Sequence, residues 1–111
     1  MGFIDIEQQA SFQPAPGVTM RTPHGKNLML SLVEMTEGAE VPLHEHPHEQ
    51  AGVVLSGKME LTIGEETREL GPGDMYIIPG GTTHRAIAVG GDLRVMDVFS
   101  PIREDYVGRQ S

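Results

Sequence analysis

Hydrophobic and polar positions alternate in short runs along this 111-residue chain, and no helical periodicity is evident. Residues 58–63 show the pattern most clearly, because Met59, Leu61 and Ile63 fall on one face of a strand and the residues between them fall on the other. Comparable runs cover 27–34, 41–46, 51–55, 67–70, 75–78, 85–89 and 93–99. The pattern predicts eight or nine strands and no long helix, with a short helical turn only within 5–12.

Glycine and proline separate these runs, and both are abundant for the length of the chain, with 14 glycines and 8 prolines. Turn sequences at 56–57 and 71–74 divide the predicted strands. The two glycines at 90–91 predict the corner of a hairpin between the runs 85–89 and 93–99. Because so many short strands would expose many unpaired edges, we expect an all-β fold with a closed or nearly closed antiparallel sandwich.

The composition limits the classes of partner and compartment. A length of 111 residues fits one domain with one core. The formal net charge is −8, from 16 acidic and 8 basic residues, and no basic stripe is present to bind nucleic acid or an anionic membrane. The chain has no cysteine, which excludes disulfides and fits a reducing compartment. With no signal-peptide pattern and no run of about 18 apolar residues, we expect a cytoplasmic protein that binds neither nucleic acid nor membranes.

The stretch HEHPHEQ at 44–50 concentrates histidines and is a candidate metal site. On a strand, His44 and His46 would project from one face about 6.6 Å apart, close enough to share an ion bound at about 2 Å. His48 and Gln50 have the same parity, but a straight strand from 44 to 50 covers about 20 Å. The chain must therefore bend, and Pro47 marks the place. After the bend, either His48 or Gln50 could return to the metal, and a solvated histidine-rich loop is the alternative.

Two segments of the chain resemble the paired sequence motifs of the cupin superfamily. The first is Gly38-x5-His44-x-His46-x3-Gln50-x6-Gly57, and the second is Gly73-x5-Pro79-x-Gly81-x2-His84. The match covers 38–88 and combines glycines, a proline and histidines at matching spacing. Two positions depart from the usual pattern, because Gln50 stands where glutamate is common and Ala88 stands where asparagine often ends the second motif.

The cupin resemblance implies a single-domain, jelly-roll-like antiparallel β-barrel, or double-stranded β-helix, with one metal ion inside. The barrel would span 27–100, with 1–26 as an N-terminal arm contributing to the barrel or to a dimer, and 101–111 as a C-terminal tail near the barrel mouth. The resemblance assigns His48 to the edge of the site or to solvent. The implied ligands are His44, His46, Gln50 and His84. The expected cofactor is one divalent transition metal, and Ni, Zn, Mn, Fe or Cu would suit such ligands.

The implied ligand set has an electrostatic consequence. Three neutral imidazoles and a neutral amide would leave the charge of a divalent ion uncompensated, whereas a glutamate would cancel one unit of it. Such an ion binds and polarises anionic oxygen more strongly. We therefore expect a substrate that bears a carboxylate or forms an enol.

The predicted strand 93–99 places Asp97 on the same face as Leu93, Val95 and Phe99. An unpaired carboxylate among apolar neighbours is costly, so this position needs an explanation. Asp97 could form a salt bridge with Arg103 or Arg94, or it could be wet on an edge strand. Alternatively, it points into the barrel near the metal as a general acid or base, while Arg103 binds a substrate carboxylate through a bidentate fork.

The tail segment Asp97-x-Phe99-Ser100-Pro101-x-Arg103-x-Asp105, together with the histidine loop, resembles the KdgF-type cupins of pectin degradation. That resemblance implies conversion of 4,5-unsaturated uronates, released from pectin or alginate, to linear keto sugar acids. It implies Asp97 and Arg103 as catalytic residues, and Phe99 with Arg103 as substrate-binding residues. Arg21 could also reach the barrel mouth and bind the substrate, and a surface position is its alternative.

Two other functions and one assembly state follow from the same residues. A cupin of this size could be a metal-dependent dioxygenase, although Arg103 suits a carboxylate better than a neutral phenolic substrate. It could also bind sugar acids without catalysis. Met96 and Val98 make the outer face of the strand 93–99 apolar, and the cupin resemblance implies paired barrels, so we expect a homodimer that acts on a small anionic sugar.

Overall fold

The computed structural model describes residues 2–107 as two antiparallel sheets packed face to face. A six-stranded sheet has the order β1-β2-β3-β10-β5-β8, and a four-stranded sheet has the order β4-β9-β6-β7. The strands are β1 (Phe12–Ala15), β2 (Val18–Arg21), β3 (Met29–Met35), β4 (Glu40–His44), β5 (Glu49–Ser56), β6 (Met59–Ile63), β7 (Glu66–Leu70), β8 (Met75–Ile78), β9 (His84–Ala88) and β10 (Leu93–Ser100). Short 3-10 turns lie at Ile6–Gln8 and Glu104–Tyr106. No helix within 2–107 has the length and apolar character needed to cross a membrane.

The eight runs predicted from alternation correspond to β3 through β10, and the all-β prediction is confirmed. β1 and β2 were not predicted, because each has only four residues and Pro14 interrupts the first. They form by pairing with each other and with the free edge of β3. Contacts between distant segments, rather than the local pattern, therefore make the N-terminal segment part of the larger sheet.

The predicted hairpin at 90–91 is wrong. β9 belongs to the four-stranded sheet, whereas β10 lies between β3 and β5 in the six-stranded sheet. β10 carries apolar residues on both faces, which suits the centre of a sheet better than its edge. The two glycines therefore carry the chain from one sheet to the other.

The core lies between the sheets and is built from inward-facing residues of both. β10 shows the alternation most clearly, since Leu93, Val95, Asp97 and Phe99 are buried and the residues between them are more exposed. This confirms the predicted face of Asp97. Burial of each large apolar side chain contributes about 1.5–3 kcal/mol. The main apolar contributors are Val18, Met20, Met29, Val33, Met35, Val54, Met59, Leu61, Leu93, Val95 and Phe99.

The outer face of the six-stranded sheet is also apolar across β3, β10, β5 and β8. Strand register aligns eight side chains into two rows, each crossing all four strands. The rows are Leu32–Met96–Val53–Met75 and Leu30–Val98–Ala51–Ile77. Met75 and Ile77 are strongly exposed, with relative accessibilities of 77% and 64%. Antiparallel sheets usually place polar residues on their solvent face, so we call these eight residues the apolar outer face.

Candidate metal and substrate site

Three histidines converge where the two cupin-like motifs meet. His44 ends β4 and His84 begins β9, and the two are direct partners in the antiparallel register. His46 lies in the connection between β4 and β5, so the chain bends after His44, close to the predicted bend at Pro47. One potential ligand atom from each histidine lies within 4.8 Å of the others. This spacing allows all three imidazoles to bind one ion.

Backbone carbonyls orient the three imidazole rings. Each Nδ1 lies 2.8 to 3.1 Å from a carbonyl oxygen. The oxygens belong to Pro42 for His44, His48 for His46 and Thr82 for His84. A carbonyl only accepts, so Nδ1 donates and Nε2 of a neutral ring keeps its lone pair for a metal. Nε2 of His84 is buried and has no hydrogen-bond partner within the described residues, which fits a metal-binding position.

The site favours neutral imidazoles. Burial, with smaller contributions from the charge of Arg103 and from the neighbouring His84, lowers the pKa of His46 to about 4. Burial also lowers the pKa of His84, against a hydrogen bond to the Thr82 carbonyl that raises it. Desolvation disfavours the charged form of an imidazole. Both rings are therefore available as neutral ligands at neutral pH.

Gln50 joins the histidines to Asp97. Its Oε1 lies 3.1 Å from Nε2 of His46, and its side chain also hydrogen-bonds Asp97. Because a carboxylate only accepts, the amide nitrogen donates to Asp97 and Oε1 faces the histidine. Oε1 of Gln50 and Nε2 of His46 both face each other with lone pairs. Together with the unpaired Nε2 of His84, they form a set of ligand atoms that suits a cation. His48 is not among the histidines whose ligand atoms lie within 4.8 Å of one another; these are His44, His46 and His84.

Asp97 is buried at the centre of the six-stranded sheet. The hydroxyl of Tyr76 donates to its Oδ1 at 2.5 Å. Burial raises the pKa of Asp97 to about 6, while the hydrogen bonds from Tyr76 and Gln50 oppose that rise. The edge-strand explanation is wrong, because β10 pairs on both sides. The salt-bridge explanation is not supported either, since Arg94 pairs with Glu34 and Arg103 pairs with Asp105.

Arg103 is buried and held on three sides. Its Nε and Nη2 donate to the two carboxylate oxygens of Asp105 at 3.1 and 2.6 Å. Its guanidinium carbon lies 4.1 Å from the ring centroid of Tyr106 and 5.3 Å from that of Phe99. Both distances are in the range of cation–π contacts. Asp105 occupies one edge of the guanidinium, so the edge that includes Nη1 is the one left for another anion.

One cavity between the sheets connects these groups. It has a volume of about 520 Å³ including its open mouth, and apolar residues of both sheets complete its wall. Its lining includes Phe99 and Tyr106. The polar and charged lining residues are His44, Gln50, Tyr76, His84, Asp97 and Arg103. The structure therefore brings the predicted ligands and tail residues together, with His46 buried beside them.

Arg21 stands apart from this group, and its predicted substrate-binding position is not supported. It follows the inward-facing Met20 on β2 and points to the other side of the sheet. Its Nη1 lies 3.0 Å from Glu34 and its Nε donates to the carbonyl of Gln9. It does not line the cavity, which agrees with the alternative of a surface arginine.

Sequence reasoning missed Tyr76 and Tyr106, which both line the cavity. Tyr76 lies on the short apolar strand β8, two residues before the buried Ile78. Residues two apart on a strand share a face, so the sequence could have indicated that Tyr76 points inward. Tyr106 lies in the 3-10 turn after Arg103 and packs against that guanidinium. Its position depends on the fold of the tail, for which the sequence shows no periodicity.

Comparison with known proteins identifies the family. Residues 31–99 match the family model described as a cupin domain. The chain belongs to the cupin family. This cupin is 32% identical over 82 residues to the pectin degradation protein KdgF of Dickeya dadantii, a match that covers 73% of this chain and 74% of that one. The predicted relationship to KdgF-type cupins is therefore confirmed.

Solved structures agree with this assignment. KdgF from Halomonas sp. superposes on this cupin with a TM-score of 0.89 and 33% identity, covering 96% of this chain and 99% of that one. An RmlC-like cupin from Shewanella frigidimarina superposes with a TM-score of 0.87 and 28% identity, covering 96% of each chain. The ten-stranded architecture is thus shared with these cupins over nearly the whole length of each chain.

Proposed function

We propose that this cupin is a metal-dependent enzyme that converts 4,5-unsaturated uronates to linear keto sugar acids. The observation that carries the proposal is the presence of buried Asp97 and Arg103 in the same cavity as the histidine cluster. The relationship to KdgF, a pectin degradation protein, supports uronates as the substrate class.

One divalent transition metal would be held by His44, His46 and His84, with Oε1 of Gln50 as the fourth ligand. When bound, the ion would act as a Lewis acid toward a substrate oxygen. Imidazole nitrogen and amide oxygen accept several such ions, so the ligand types alone do not choose among Ni, Zn, Mn, Fe and Cu. The uncompensated positive charge favours an anionic or enolising substrate.

Arg103 would bind the substrate carboxylate. Its guanidinium is permanently charged, largely desolvated and fixed by Asp105 and Tyr106, and such a group recognises a carboxylate well. Phe99 lies between Arg103 and His46, with its ring centroid 5.6 Å from that of His46. Phe99 would therefore form the wall against which the sugar ring lies.

Asp97 would move the proton that the reaction requires. The hydroxyl at C1 of the cyclic substrate loses a proton, and the bond between C1 and the ring oxygen breaks as C1 becomes an aldehyde. The released enolate at C5 becomes a ketone when C4 gains a proton, so no net proton is consumed. A carboxyl group with a pKa of about 6 suits both acceptance and donation near neutral pH.

The proposal is tested by incubating the metal-loaded protein with unsaturated galacturonate or mannuronate and following the loss of the absorbance of the 4,5 double bond. We expect faster loss than in buffer. Asp97→Asn should abolish the acceleration with metal content unchanged, whereas Asp92→Asn, an exposed control in the turn before β10, should retain it. Absence of acceleration by the metal-loaded wild type would refute the proposal, and metal loss in Asp97→Asn would instead make Asp97 a structural residue.

We also propose that two copies of the chain pair through the apolar outer face. The net charge of −8 per chain opposes association through acidic surfaces. The two cross-strand rows on this face carry no charge, so two copies can meet there without that repulsion. A sheet-on-sheet contact of this kind would bury side chains such as Met75 and Ile77 and leave the metal cavity on the inner side of each copy.

A further inference from the structure

Tyr76, Gly52 and Asp97 lie side by side on three neighbouring strands. In the antiparallel register Gly52 of β5 is the partner of Tyr76 on β8 and of Asp97 on β10. Neighbouring strands are about 4.8 Å apart, so Tyr76 and Asp97 start from backbones about 10 Å apart. The tyrosine hydroxyl nevertheless reaches Oδ1 of Asp97 at 2.5 Å. The side chain of Tyr76 therefore crosses over the glycine.

Gly52 provides the space for this contact. A Cβ atom at Gly52 would overlap Oδ1 of Asp97 and the hydroxyl end of Tyr76. Gly52 is not among the glycines with a positive φ, so its backbone does not require glycine. A glycine within a strand is destabilising by about 0.5–1 kcal/mol relative to alanine. The absence of a side chain at Gly52 is therefore explained by the contact between Tyr76 and Asp97, for which it leaves room.

We propose that Tyr76 is a positioning residue for the uronate reaction: by reaching across Gly52, its hydroxyl holds the Asp97 carboxylate in the orientation that moves the substrate proton. This inference rests on the proposed function. Gln50 holds the same carboxylate from the metal side, so Asp97 is fixed between a ligand residue and Tyr76. Loss of the hydroxyl would free one carboxylate oxygen without touching the histidines or Arg103. The rate should then fall while substrate and metal binding persist.

The kinetic test uses two independent ways to break the contact. Tyr76→Phe removes the hydroxyl, and Gly52→Ala blocks its path. We expect each variant to lower kcat by about 10- to 100-fold, in line with the cost of misplacing a proton-transfer group. KM should stay within about twofold and metal content should be unchanged, because Arg103 and the histidines are not altered. Since both changes remove one contact, the double variant should be no slower than the slower single variant.

Gly71→Ala is the matched control, because a Cβ there meets nothing within 4 Å and the φ of Gly71 is not positive. It should retain the wild-type kcat. Wild-type kcat in Tyr76→Phe would overturn the proposal. So would a loss of activity that comes from a raised KM or from lost metal, or multiplicative losses in the double variant.

A second readout does not depend on turnover. The chain has two tyrosines and no tryptophan, so Tyr106→Phe leaves Tyr76 as the only source of the tyrosinate absorbance. Burial raises the pKa of Tyr76 well above its usual range, and the charge and hydrogen bond of Asp97 raise it further. In the Tyr106→Phe background, Asp97→Asn should therefore move the tyrosinate transition to lower pH.

The absorbance titration separates the two proposals. An unchanged transition in Asp97→Asn would show that the contact does not form and would overturn the role of Tyr76. A shifted transition, combined with no uronate turnover by the wild-type protein, would refute the proposed function while the contact stands. The expected result is a shifted transition together with turnover that depends on the tyrosine hydroxyl.

Discussion

The Asp97→Asn variant should gain stability relative to the wild type as the pH rises from acid to neutral. Burial raises the pKa of Asp97 from an ordinary 3.8 to about 6. Each pKa unit corresponds to about 1.4 kcal/mol, so ionising Asp97 in the folded protein costs about 3 kcal/mol of stability. A carboxylate kept for catalysis should thus destabilise the fold that holds it.

The sign follows from proton linkage. Between pH 3.8 and about 6 the folded protein binds more protons at Asp97 than the unfolded chain does. Stability from this group is therefore fully present below pH 3.8 and is lost as pH rises through about 6. Asparagine cannot ionise, so the variant escapes this loss. It still forfeits part of its bonding to Tyr76 and Gln50, but that cost does not vary with pH and cancels between two pH values.

The assay is chemical denaturation of metal-free wild type and Asp97→Asn at pH 4 and pH 7.5. The difference in unfolding free energy, variant minus wild type, should increase by about 2.4 kcal/mol from the lower to the higher pH, because about a fifth of the 3 kcal/mol is already lost at pH 4. Other titrating groups, including His46, are common to both proteins and cancel in the comparison. A difference that stays constant between the two pH values would refute the reasoning, because Asp97 would then have an ordinary pKa in the folded state.

Three further predictions concern the metal, the substrate and the assembly. His84→Ala should lose bound metal, measured by inductively coupled plasma mass spectrometry, whereas His24→Ala, an exposed control, should keep it. Asp105→Asn should raise KM for the uronate by about tenfold, equivalent to about 1.4 kcal/mol, because Arg103 loses its bidentate partner; an unchanged KM would contradict that role. Met96→Glu should convert a dimer to a monomer in light scattering, and Met96→Leu should not; a wild-type monomer would refute the proposed pairing.

Local alternation was sufficient to predict most of the strands. The face of β10 that carries Asp97 followed from parity alone, since side chains on a strand alternate with a period of two. The strands β1 and β2 did not follow, because each has only four residues and β1 also contains Pro14, so both have a weak intrinsic preference for a sheet. They exist because β3 offers an unpaired edge. The same limit explains the wrong hairpin, since local sequence does not say which sheet the next strand joins.

Ligand chemistry was predictable, but the choice among ligands required more than spacing. Parity left His48 and Gln50 equally possible, and the motif resemblance favoured Gln50. In the structure Gln50 is the second residue of β5 and turns inward, whereas His48 belongs to the connecting bend. The amide also bonds Asp97, which a glutamate in its ionised form could not do, because two carboxylates would then face each other. The glutamine at position 50 on β5 is therefore linked to the buried Asp97 on the neighbouring strand β10.

Gly52 was a signal in the sequence whose meaning appears only in the sheet. An isolated glycine within an apolar run marks either a bulge or a close approach, and the run at 51–55 gives no means of choosing. The strand register shows that this glycine marks a close approach. Gly52 lies between Tyr76 and Asp97, two residues that are 21 positions apart in sequence. A strand glycine without positive φ is thus a reason to inspect the side chains on both flanking strands. Here those side chains are a proton donor and a buried carboxylate in direct contact, in the cavity where the proton transfer is proposed.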